Sequence, residues 1–197
     1  MKHPFLLLFV LTVTIAVRAE SNQPAAGLQQ KFVSGGTIRM HLEAGGYTIS
    51  PADSENIVVT YRANSSERLK KVKVEIKPAA SSADVYVSHT PHNNFNATIE
   101  VPRHSNLWVR LSAGELKIED VEGDKNVELL AGQIEIEIRH PEAYGHRDAS
   151  VTTGSIDSSA FDIFKGGLFR SFDQQGPGKY RLHAHVMAGE IDLTGTK

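Results

Sequence analysis

Cysteine is missing from all 197 residues of this chain. That excludes disulfide staples, and it excludes lipid attachment through an N-terminal cysteine. Helical periodicity is nearly missing too: no window shows a sustained 3.6-residue apolar period, and the best stretch, Ser66 to Lys71, promises a turn at most. Charge of one sign is scarce, with 21 Lys and Arg against 23 Asp and Glu for a net of −2. A nucleic-acid binder needs a basic field to neutralise phosphates, so that class is excluded. Mild acidity likewise argues against docking on anionic lipid. Catalytic signatures are absent as well. There is no H-E-x-x-H and no G-x-S-x-G, and Gly166-Gly167 and Gly176-Pro177-Gly178 lack the lysine and helix of a phosphate cradle.

A single long apolar run is present. Lys2 precedes Phe5 to Val17, and Val17-Arg18-Ala19 offers a cleavage site, which reads as a secretion signal over residues 1–19. The run is shorter than the ~20 residues needed to span a bilayer. Its removal takes Lys2 and Arg18 and leaves a chain of net −4 starting at Glu20, with no second membrane span. Residues 20–31 are polar and read as a flexible leader. Residues 32–197 are long enough for one domain with a real core. Without disulfides, an exported domain must be held by packing and ladder hydrogen bonds.

From Phe32 onward the pattern is that of strands. Ile38, Met40 and Leu42 alternate with polar residues, as do Val72, Val74 and Ile76, with Ile99 and Val101 continuing the theme before Pro102. A phrase then recurs: a small residue, a glycine, and an apolar–any–apolar triplet. It appears at Gly45, Gly114, Gly132, Gly154 and Gly189. Repeats of this kind mark units that bury their apolar side against each other. Tyr47, Leu116, Ile134, Ile156 and Ile191 are expected to point inward, as are Ile49, Ile118, Ile136 and Leu193. Ser158 interrupts the second set. Separations near twenty residues suit a single-domain all-β solenoid with inserted hairpins, residues 69–101 being one insertion and Leu168 to Phe172 with Tyr180 to Val186, either side of the Gly176-Pro177-Gly178 turn, another. An antiparallel β-sandwich is the alternative.

The segment Ala97-Thr98-Ile99-Glu100-Val101-Pro102, followed by Leu107 to Gly123 with its Ala113-Gly114-Glu115-Leu116 phrase, resembles the bacterial putative-adhesin β-solenoid family. The later glycine phrases and Phe169-Arg170-Ser171-Phe172 fit its further coils, so the resemblance spans about residues 32–197. It implies a β-solenoid of the cell envelope, exported to the periplasm or beyond. The family has no established activity and no functional residues to carry over.

Several constellations are weighed on their own chemistry. If the repeats stack in chain order, Glu135, Asp157 and Asp192 form an acidic ladder, with Lys117 offsetting one end. Like charges opposite each other repel, and a bound cation such as Ca²⁺ would relieve them. A solvated, screened face is the plainer expectation, so no metal or other cofactor is assigned. His183 and His185 share a face, with His89 and His92 in a loop, but no complete ligand set can be named. Glu115, Glu119, Glu135, Glu137 and Asp157 are the carboxylates a polysaccharide-acting enzyme would draw on. Trp108 points outward, either covered by the inserted hairpin or exposed as a contact surface. The expectation is a non-catalytic binding or adhesion module, a monomer or weakly self-associating, whose partner is an envelope protein or glycan. A glycan-active enzyme and a structural assembly protein are the alternatives.

Overall fold

Alternating apolar residues force most of this chain into strands. The computed structural model describes residues 25–195. The signal segment and residues 20–24 lie outside them. Four short strands come first: β1 (Ala25–Lys31), β2 (Thr37–Leu42), β3 (Gly45–Ala52) and β4 (Asn56–Arg62). One helical turn, α1 (Ser66–Leu69), follows, started by the Ser65 hydroxyl accepting from the Arg68 amide. Then come β5 (Lys73–Pro78), β6 (Ser82–Ser88), β7 (Asn96–Pro102), β8 (Asn106–Ile118) and β9 (Lys125–Ile138). After a 3₁₀ turn at Pro141–Ala143 the chain closes with β10 (Tyr144–Ser158), β11 (Ile163–Gln175) and β12 (Tyr180–Gly195).

All twelve strands belong to one open mixed sheet. β6, β2, β8, β9, β12 and β10 lie parallel in that order, and β7 and β3 continue the same arrangement beside the second half of β8. Antiparallel strands finish the edges: β5 on β6, β4 and β1 beyond β7, and β11 on β10. The glycine-led phrases are neighbours in register. Gly45 lies opposite Gly114, Gly114 opposite Gly132, Gly132 opposite Gly189, and Gly189 opposite Gly154.

Each phrase marks a corner between a first and a second arm. The last buried side chain of one arm and the first of the next are always an odd step apart: Leu42 to Tyr47, Leu111 to Leu116, Leu129 to Ile134, Val151 to Ile156, Val186 to Ile191. That odd step switches the strand's alternation, so both arms turn their apolar faces to one core. The glycines permit it. At Gly189, φ is 145°, and a Cβ there would overlap the carbonyl oxygen of Gly132 on the next strand. The expected inward residues are all buried, from Tyr47 and Ile49 to Ile191 and Leu193. At ~1.5–3 kcal/mol per buried aliphatic side chain, these columns dominate the folding energy.

Four features differ from the sequence expectation. First, the phrases do not stack in chain order, because β12 inserts between β9 and β10. Second, residues 69–101 are not all insertion. β6 and β7 lie in register with β2 and β3 and form a pass of the sheet without a glycine phrase. Third, the strands flanking Gly176-Pro177-Gly178 do not pair with each other, since β11 folds back on β10. Fourth, residues 25–31 of the expected leader form β1. Ala26, Leu28 and Gln30 are half-buried while their neighbours are exposed, and the strand covers the otherwise open edge of β4.

Candidate binding face

On the outer side of the first arms, register arranges polar side chains in rows that cross the strands. One row runs Glu75, Tyr86, His41, Arg110, Glu128, His185, Ser150. The row beside it runs Lys77, Asp84, Arg39, Trp108, Asn126, His183, Asp148. Successive members sit one strand spacing apart, about 4.8 Å. A groove of about 610 Å³ opens over the first row, lined by Glu75, Lys77, Tyr86, His41, Arg110, Glu128, Leu130 and His185 among others. A second of about 480 Å³ lies over Trp108, Asn126, His146, Asp148, Arg181 and His183.

The groove floor is held rigid by a stack of rings and cations. Tyr86 and His41 lie parallel at 4.8 Å, and His41 meets Trp108 at 5.3 Å. Lys77 caps Tyr86 at 4.7 Å, and the Arg110 guanidinium lies 3.7 Å over Trp108. Arg110 also donates to Asn126 Oδ1 at 2.8 Å and pairs with Glu128 at 2.6 Å. Burial pulls the Arg110 pKa down and Glu128 opposes it, but a guanidinium keeps its proton at any ordinary pH. Further along, His183 Nδ1 lies 2.5 Å from Asp148 Oδ2, and His185 Nδ1 lies 2.8 Å from Ser150 Oγ. Glu128, next to His185 in the row, is engaged by Arg110. The floor therefore presents fixed donors and acceptors at the ring edges, while its aromatic faces are already occupied.

The residues singled out from sequence fall as follows. Trp108 does face outward and is half-buried, but its cover is Arg110 and His41, with the inserted hairpin contributing Tyr86 one ring further on. Glu135, Asp192 and Asp157 are neighbours, with Asp192 in the middle because of the β12 insertion. Two of the three, Glu135 and Asp192, are engaged by neighbouring side chains. Lys117 pairs with Glu135 at 3.2 Å and Glu137 at 2.9 Å, which raises its pKa, and Gln133 donates to Asp192 at 2.5 Å. Among the described residues no three His, Asp or Glu side chains gather closely enough to hold a metal ion. His183 and His185 share the outer face and are partnered, while His89 stands in a loop apart from them.

Sequence reasoning passed over Lys125. It is 2% exposed and stands in an inner column between Leu107 and Leu182. Its ammonium donates to Val121 O at 2.6 Å, Gly123 O at 3.3 Å and Tyr144 Oη at 2.5 Å. Desolvation lowers its pKa to about 8, against the pull of Asp120, Asp124 and Glu122. The signal was available: Lys125, Val127 and Leu129 alternate as a strand does, which puts Lys125 on the inner side.

Comparison with solved structures places this fold. A putative cell adhesion protein from Clostridium sporogenes superposes with a TM-score of 0.55 at 11% identity, over 88% of this chain and all of that one. Adhesins so described from Bacteroides fragilis (TM-score 0.29, 9% identity, 87% of this chain and 97% of that one) and Parabacteroides merdae (0.28, 10%, 89% and 98%) are too distant to carry an argument. No family model matches the chain, and no curated protein does. The likeness is one of fold: an all-β sheet protein of the kind seen in the Clostridium structure. Among the described residues no helix is long and apolar enough to cross a membrane.

Proposed function

We propose that this chain is an exported, non-catalytic binding module of the bacterial putative-adhesin type, with its sheet wound as a β-solenoid, and that it holds a cell-envelope glycan in the groove over Glu75, Tyr86, His41, Arg110 and Glu128. The in-register glycine corners support the solenoid, because successive passes stack their inner residues in columns. The groove carries the binding reading. Its volume of about 610 Å³ is within the range of ligand sites, and its floor offers donors and acceptors at strand spacing. Such a row offers hydrogen-bond partners to a chain of hydroxyl groups, and Leu130 beside it offers apolar contact to a sugar-ring face. Non-catalytic action is supported by the engagement of the groove carboxylate Glu128 by Arg110, and of two of the candidate carboxylates, Glu135 and Glu137, by Lys117. Function lives in sites and does not follow from the fold alone.

The test is a glycan array with purified protein and its Arg110→Ala variant. Micromolar binding that weakens about tenfold in the variant, about 1.4 kcal/mol, supports the reading. Absence of any glycan bound at micromolar concentration refutes it, and so does shortening of a glycan on incubation.

A further inference from the structure

Where the groove meets the glycine corners, four side chains of mixed chemistry form a square. Register on β8 and β9 sets Arg110 beside Glu128 and Leu111 beside Leu129, then Ala113 beside Ala131. Ser112 and Leu130 lie between those pairs and are neighbours in their turn. They stand about 4.8 Å apart across the ladder and about 6.7 Å along it from Arg110 and Glu128. All four line the groove. Ser112 is exposed, and its hydroxyl makes no hydrogen bond among the described residues. Leu130 is 56% exposed, and Met187 continues the apolar spot on β12 at 51%. Arg110 holds Glu128 through Oε1 at 2.6 Å, and a carboxylate keeps further lone pairs for a second donor.

Charge sets the first limit on the ligand. With the histidines neutral, Glu43, Glu75 and Glu128 line the groove against Lys77 and Arg110. Both cations are already matched, Lys77 to Glu75 at 3.0 Å and Arg110 to Glu128. A uronate, sulfate or phosphate would find no free cation and would face a surplus carboxylate. The groove therefore suits a neutral ligand.

The square sets the second limit. Its β9 side offers an acceptor and then hydrocarbon, Glu128 and Leu130, while its β8 side offers the free donor of Ser112. A secondary amide is planar and trans, so its N–H and the methyl of an acetyl group share one edge and the carbonyl oxygen takes the other. An acetamide laid over the square turns its N–H to Glu128, its methyl to Leu130 and its carbonyl to Ser112. No single hydroxyl meets all three. A peptide amide has the same edges, but the polar row continues from Arg110 through His41 and Tyr86, which favours a hydroxyl-rich chain. We propose that the groove selects a glycan bearing N-acetylated amino sugars, with one acetamido group seated over Ser112, Glu128 and Leu130. The inference rests on the glycan reading of this groove.

The experiment is calorimetric titration with the N-acetylglucosamine tetramer, the glucosamine tetramer and cellotetraose. The acetylated tetramer should bind about twentyfold more tightly than cellotetraose, roughly fourfold from burying the methyl and roughly fivefold from the added hydrogen bond. The glucosamine tetramer lacks the methyl and the carbonyl and should also bind more weakly than the acetylated one. Leu130→Ser and Ser112→Ala change exposed positions, so both variants should keep their unfolding midpoints while each narrows the acetylated preference by about fourfold to fivefold. Equal binding of the acetylated tetramer and cellotetraose overturns this inference and leaves the glycan reading standing. Tighter binding of the glucosamine tetramer, or a preference undiminished in Leu130→Ser, does the same. An N-acetylated alanine tripeptide that binds as tightly as the acetylated tetramer overturns it in favour of a peptide ligand. Failure of all three tetramers and of every arrayed glycan to bind removes the glycan reading itself, and this inference with it.

Discussion

Replacing Gly189 by alanine tests the corner geometry directly. The residue holds φ at 145°, and its Cα faces the carbonyl of Gly132 across the β9–β12 ladder. An L-residue in that backbone region costs about 1–3 kcal/mol. The added methyl meets backbone, which cannot rotate away, and overpacking of this sort costs about 1–3 kcal/mol more. The total of about 2–6 kcal/mol is a large share of the ~5–15 kcal/mol that holds a typical domain folded. For a chain of this size each kcal/mol moves the midpoint by about 2–4 °C, so Gly189→Ala should lower Tm by about 4–24 °C. Gly166→Ala is the control, since a Cβ there meets nothing within 4 Å and its φ is ordinary. Calorimetry and urea titration on both variants decide the matter. If Gly189→Ala unfolds within about 1 kcal/mol of Gly166→Ala, the close approach of the glycine ladder is not what fixes the corner.

Other expected outcomes follow from single side chains. Ser158 is fully buried with an unpartnered hydroxyl at the end of the Ile136–Leu193 column, so Ser158→Val should stabilise the protein by about 1–2 kcal/mol, read as a higher urea midpoint. Lys125 is held near pKa 8 in the fold against an unfolded value of 10.5, so the unfolded chain binds more protons between those values. Stability should therefore rise with pH across that window, and the rise should vanish in Lys125→Met when both are compared by denaturant titration. Lys117→Gln removes a half-exposed pair of ion bridges and should cost no more than about 1 kcal/mol, less in high salt.

The glycine phrases were legible because five of the corners put the same residue at the same place in register. They predicted which residues point inward, and Tyr47, Leu116 and Ile191 are indeed buried. Spatial order was not legible: nothing in Gly154 or Gly189 says which lies next to Gly132, since either would fit the same carbonyl. The pass formed by β6 and β7 was hidden because it turns through residues 89–95 without the phrase. β1 was hidden because its half-buried positions Ala26, Leu28 and Gln30 include only one large apolar residue, so it reads as leader until β4 supplies the partner. The binding face was half legible. Outward Trp108 could be placed by alternation, but the stack with Arg110, His41 and Tyr86 depends on strands β2, β6 and β8 meeting, which no local pattern encodes.

The insertion of β12 between β9 and β10 carries a consequence for biogenesis. During synthesis the β10–β11 hairpin emerges with no seat, because the place beside β9 belongs to residues made after it. Until β12 arrives, the free side of β9 and the whole of the hairpin are sticky ends, and closure waits on contacts distant along the chain, which slows folding. A protein wired this way cannot complete itself from front to back; it stays open while it is being made and shuts in one late event.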